Sequence, residues 1–151
     1  MSEGRRRQRG RVLRERPPAS IVVDASIAVQ WFSEEPGTSE AIRIRTVDSV
    51  LVAPDIMPIE VANACWKKVR RGDMPAEDAA PAIANLLSFG LELVPSLALL
   101  PRGIRLAVEL RHPVYDALYL ALAVERGARL ATADARLRRG AELAGIRLWR
   151  P

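Results

Sequence analysis

YDALYLALAVERGARLATADARL, residues 115–137, decides the fold. Apolar residues recur at helical spacing from Tyr115 to Arg126, and Gly127 stops the helix. ARLATA (128–133) then reads as a short buried strand, and Asp134 caps one more helix. Helix, strand and helix in succession are the building unit of a parallel α/β sheet. Two acids interrupt this apolar stretch: Asp116 at the front of the helix and Asp134 directly after the strand. A buried carboxylate is costly unless something compensates for it.

The same alternation runs through the rest of the chain. IVVD (21–24) is a β-branched run ending in an acid, and SIAVQWF (26–32) follows with helical spacing. EPG (35–37) breaks it, and TSEAIRIRTVDSV (38–50) offers a second helix capped by Thr38 or Ser39. VLVAP (50–54) is a second strand. IMPIEVANACWKKVRRG (56–72) is a third helix with Lys67, Lys68, Arg70 and Arg71 in its last turns, where cations suit the dipole. MPAEDAAPAIANLLSFG (74–90) gives a fourth, with a kink or restart expected at Pro81. LELVP (91–95) is a strand, and a helix is expected from near Pro101 to the His112–Pro113 break. IRLW (146–149) closes the order as an edge strand. The pattern predicts a three-layer α/β/α fold with a mostly parallel central sheet. Ligands of such sheets gather at the carboxyl ends of the strands, where Asp24 and Asp134 both stand.

With 151 residues the chain suits one domain with a real core. No apolar run approaches the roughly 20 residues that span a bilayer, so no membrane segment is expected. The single cysteine, Cys65, leaves no internal disulfide and fits a reducing compartment, so a cytoplasmic location is expected. The net charge of +5 is unevenly spread. Residues 1–18 hold seven arginines against Glu3 and Glu15, and the remaining chain balances 16 basic with 16 acidic residues. An arginine-rich arm can bind phosphate backbones without sequence preference. It reads better as a disordered extension, or as residues upstream of the true start, with Pro17 and Pro18 marking the boundary of a domain over residues 19–151.

Four acids border segments expected to be buried: Asp24 after IVV, Glu60 among Ile59, Val61 and Ala62, Asp116 and Asp134. Taken singly, Asp24 or Asp134 is explained by a helix N-cap and Asp116 by the helix dipole. Glu60 on an apolar face needs a partner. Together in one low-dielectric pocket, four carboxylates repel and their pKa values rise. A divalent cation removes that conflict, and oxygen-only ligands select a hard ion such as Mg²⁺ or Mn²⁺. Such an ion suits phosphate oxygens and an activated water.

IVVDASIAVQWF, PDIMPIEVANACWK and PVYDALYLALAVERGARLATADARL, in that order, closely resemble the PIN-domain family of metal-dependent ribonucleases, especially the toxins of VapBC toxin–antitoxin pairs. The resemblance covers residues 20–149. It implies that Asp24, Glu60, Asp116 and Asp134 are the catalytic and metal-binding acids. Ser26 and Thr132 match the family's hydroxyl positions beside the first and last acids, and Asn63 matches a frequent polar position. It further implies an RNA substrate, transfer RNA or another structured RNA, a cognate VapB-like antitoxin, and a homodimer. The long arginine tail departs from the family's pattern.

The competing function is a non-catalytic PIN-like RNA-binding or adaptor module, which the loss of an acid would have favoured. A different α/β phosphohydrolase fits poorly, since DASIA lacks a second acid and no glycine-rich phosphate loop follows the first strand. His112 is the only histidine, which argues against a His-based metal site or a Ser-His-Asp triad and leaves it as a loop residue. The basic run at residues 67–71 reads as RNA-phosphate contacts or as a solvated helix end. Trp31, Phe32 and Trp66 are expected in the core, Tyr115 and Tyr119 as packing residues, and Cys65 as a small buried residue.

Overall fold

The computed structural model describes residues 19–151; the arginine-rich segment 1–18 lies outside the described residues. Four strands form one parallel sheet: β1 (Ser20–Val23), β2 (Val50–Pro54), β3 (Glu92–Val94) and β4 (Arg129–Ala131), in the order β3-β2-β1-β4. The register pairs Val22 with Val52 on one side and with Leu130 on the other. β1 is central, and its apolar residues are wholly buried, as a parallel strand covered on both faces requires. IRLW contributes a single parallel bridge, Leu148 to Leu130, in place of a full edge strand.

The chain builds outward from β1 to β2 and β3, then returns past β1 to lay down β4 on its other side. The strand order therefore reverses between β1 and β4, and a crevice opens at their carboxyl ends. Seven α-helices flank the sheet among the described residues: α1 (Ala25–Ala28), α2 (Thr38–Arg43), α3 (Met57–Arg71), α4 (Ala76–Ser88), α5 (Ser96–Leu110), α6 (Val114–Arg126) and α7 (Ala135–Leu143). Of these, α6 is the most enclosed. Ala117 to Ala123 are all buried, because it lies against β1, β2 and β4 while α5 covers its outer side. The two helices approach closely at Gly103, where a Cβ would come within 3.0 Å of the Leu118 side chain.

Several boundaries differ from expectation for local reasons. α1 tightens into a 3-10 turn over Val29–Phe32. α2 ends at Arg43, with a 3-10 turn over Ile44–Thr46, because Val47 turns extended and Val50 is needed opposite Ser20. α4 continues through Pro81 without a restart, and α5 begins at Ser96, five residues before Pro101. Both prolines occupy the sixth helical position and are exposed, so each removes one hydrogen bond and leaves a carbonyl to water. The early start of α5 also has a tertiary cause. Asp55, just after β2, accepts a hydrogen bond from the Ser96 amide at 2.9 Å. No described helix is long and apolar enough to cross a membrane.

Candidate metal and phosphodiester site

All four acids stand at helix N-termini. Asp24 and Asp134 are the N-cap residues of α1 and α7, while Glu60 and Asp116 lie in the first turns of α3 and α6. The positive ends of four helix dipoles thus meet the acids at the carboxyl end of the sheet, which offsets part of their mutual repulsion. The offset is incomplete. Burial raises the Asp24 carboxyl above its ordinary value, and Asp116 adds to the rise. Glu60 is raised by burial and by the charges of Asp24 and Asp116. Asp116 is raised by burial and by Asp134, with His112 and Arg136 pulling it back down. Asp116 therefore feels or influences each of the other three.

The side chains decide between cap and site. Asp24 is buried, yet its carboxylate makes no capping bond to α1. Its Oδ2 instead accepts from the Ser26 hydroxyl at 2.5 Å and the Thr132 hydroxyl at 2.8 Å. Thr132 in turn accepts from the Asp134 amide at 3.0 Å, and Ser26 accepts from the Ala133 amide at 2.9 Å. The two hydroxyls thus lock the ends of β1 and β4 together. Asp134 is different: it is exposed, not buried, and it is a true N-cap, with Oδ1 accepting from the Leu137 amide at 2.8 Å. Asn63, one turn beyond Glu60 on α3, is exposed.

Tyr119 goes beyond the packing role expected of it. It is fully buried on α6, and its hydroxyl donates to Glu60 Oε2, joining residues 59 apart. Burial holds its own phenol well above the ordinary range, so it remains a donor. His112 is also more than a loop residue. Its side chain is 5% exposed, and Nδ1 stands 3.8 Å from Asp116 Oδ2. Their i, i+4 spacing was the available signal. Tyr115 and Trp66 are exposed rather than packed, and Arg70 lies over the Trp66 ring at 4.9 Å. Trp31 and Cys65 are buried as expected, and Lys68 of the basic run pairs with Glu35 at 3.4 Å.

One pattern unites three of the acids. Asp24 is held through Oδ2, Glu60 through Oε2 and Asp134 through Oδ1, so each carboxylate is oriented by one oxygen while the second receives no bond in this network. Anchoring of that kind positions ligands toward a metal. Among the described residues, no three His, Cys, Asp or Glu side chains enclose an ion by themselves. Mg²⁺ takes one or two carboxylates and keeps several waters. The excess negative charge and the all-oxygen donor set fit such a cation.

These features define a parallel α/β domain with an acidic centre at its switch point. The chain belongs to the PIN domain family, which matches residues 21–143. It is 33% identical over 119 residues to Ribonuclease VapC3 of Pyrobaculum aerophilum, a match that covers 78% of this chain and 91% of that protein. Its fold is similar to that of VapC20 of Mycobacterium tuberculosis, a sarcin-ricin loop cleaving toxin, with 20% identity and a TM-score of 0.67 over 87% of this chain and 99% of that one. It is also similar to a chain of a toxin-antitoxin complex from Klebsiella pneumoniae, with 16% identity and a TM-score of 0.54 over 76% and 86% of the two chains.

Proposed function

We propose that the protein is a divalent-metal-dependent endoribonuclease, the toxin of a type II toxin–antitoxin pair, acting in the cytoplasm on transfer RNA or another structured RNA. The observation that carries this reading is the acid cluster itself. Asp24, Glu60, Asp116 and Asp134 stand at four helix starts around one crevice, and Asp116 is electrostatically linked to the other three. An adaptor would gain nothing from keeping Asp24, Glu60 and Asp116 where burial raises their carboxyls. Kinship with a protein named Ribonuclease VapC3 supports the choice of RNA and of hydrolysis.

The chain's own residues supply orientation. Ser26 and Thr132 keep Asp24 from rotating, and Tyr119 does the same for Glu60. Asp116 and Asp134 complete the negative rim of the crevice. Mg²⁺ or Mn²⁺, when bound, neutralises the acids, polarises a phosphodiester and lowers the pKa of a water. A VapB-like antitoxin is the expected partner, by kinship with the VapC proteins and the fold shared with a toxin–antitoxin complex. A homodimer is the expected assembly.

The test is cleavage of end-labelled transfer RNA and ribosomal RNA fragments by the purified chain. Cleavage in Mg²⁺ or Mn²⁺, weaker cleavage in Ca²⁺, and none with a chelator or in Asp24→Asn are expected. Cleavage that survives the chelator or the Asp24→Asn change would overturn the reading.

A further inference from the structure

A pocket of about 410 Å³ lies beside the acid cluster, and its walls include Thr132, Gln30, Glu40, Arg138 and Trp149. Thr132 is a wall of this pocket and also the donor that holds Asp24, so the pocket and the acid cluster are neighbours. The network around the acids uses none of the other four side chains except Arg138, whose Nη2 donates to the Thr132 carbonyl at 3.2 Å. That bond ties a guanidinium at the pocket wall to the residue that holds Asp24.

Ile27, Pro36, Ala41, Leu130 and Leu148 make much of the remaining wall apolar, and the aromatic and polar side chains among them have a definite chemistry. The half-buried Trp149 is fixed at the pocket because its backbone amide donates to Leu130 of β4 at 2.8 Å. Gln30 and Glu40 converge on Gly37. A Cβ there would lie 3.3 Å from Gln30 Oε1 and 3.6 Å from Glu40 Oε2, so the glycine leaves both side chains room. An aromatic face accepts any base by stacking. A carboxylate repels phosphate but accepts from N–H groups on a base edge, and its two oxygens match the adjacent N1–H and N2–H₂ donors of guanine. Glu40 is exposed and Gln30 half-buried, so both can offer polar atoms to a ligand in the pocket.

We propose that this pocket is a nucleobase subsite for a nucleotide flanking the cleaved phosphodiester. Trp149 stacks on the base, Gln30 and Glu40 read its edge, with guanine preferred, and Arg138 holds the connecting phosphate. The inference rests on the ribonuclease reading for its choice of RNA, but it can be tested without cleavage.

The measurement is the anisotropy of labelled RNA trinucleotides titrated with full-length Asp24→Asn protein in chelator, with each base in turn replaced by an abasic site. At one position the abasic oligonucleotide should bind on the order of tenfold more weakly than guanine. That difference should vanish in Trp149→Leu. Glu40→Gln and Gln30→Ala should erase the preference for guanine over uracil with unchanged melting temperature. Equal binding of abasic and intact oligonucleotides, or a base preference unmoved by all three substitutions, would overturn the subsite. Base-dependent binding by a wild-type chain that does not cleave RNA would keep the subsite and remove the ribonuclease reading.

Discussion

Thr132 Oγ1 lies 2.8 Å from Asp24 Oδ2, a hydrogen bond between residues 108 apart at the ends of adjacent parallel strands. It satisfies a buried carboxylate and ties β4 to β1 at the place where the strand order reverses. Thr132→Val removes the donor and keeps the branched shape. Asp24 would retain the Ser26 hydroxyl alone, so the metal-free protein should lose about 1–2 kcal/mol in urea unfolding at neutral pH. Unchanged stability would mean that this bond does not hold the acid.

The raised carboxyls set the sign of a pH effect. In Asp24, Glu60 and Asp116 burial is the largest cause, and it places the folded-state pKa above the unfolded one. Their contribution to stability is fully present below the ordinary carboxylate values and is lost as pH rises through the raised ones. Asp24→Asn cannot titrate. With chelator present, its melting temperature relative to wild type should therefore climb over the range from the ordinary carboxylate pKa up through the raised one. A relative melting temperature that stays flat across that range would contradict the burial of Asp24.

Asp116→Asn separates enzyme from adaptor. Asp116 is half-buried, and burial and then the charge of Asp134 raise its carboxyl, so neutralising it relieves both costs. The variant should be at least as stable as wild type without metal, yet gain less stability from Mn²⁺ and fail to cleave RNA. The lost gain follows because the ion binds the native state alone. A purely dipolar role for Asp116 gives the opposite: a metal-independent loss of stability with cleavage kept.

His112 and Gly140 form a steric pair on which the setting of Asp116 depends. A Cβ at position 140 would stand 2.7 Å from His112 Nε2, on a ring whose Nδ1 faces Asp116. Gly140→Ala should push the buried imidazole aside and cost about 1–3 kcal/mol by thermal or urea unfolding. Adding His112→Ala should recover much of that loss, since the clash needs both groups. Additive losses in the double variant would show that the ring does not explain the glycine.

The chain order of strands and helices, and the placement of Asp24 and Asp134 after buried strands, were legible in IVVD and LATAD because they depend on near neighbours. Branched apolar runs prefer strands, apolar spacing of 3.6 marks helices, and an acid after a strand starts the next helix. The same local signals placed Glu60 and Asp116 in first turns. What each acid touches was decided only by packing. Asp24 accepts from Thr132 across the strands as well as from Ser26, Glu60 finds Tyr119, and Asp134 remains an exposed cap. Tyr115 and Tyr119 are one helical turn apart and look alike in sequence, but one faces solvent and the other is sealed between α6 and the sheet. The start of α5 likewise depends on Asp55, 41 residues upstream. Backbone preference acts over a few residues, whereas burial and hydrogen-bond partnership depend on which surfaces meet after the chain has closed.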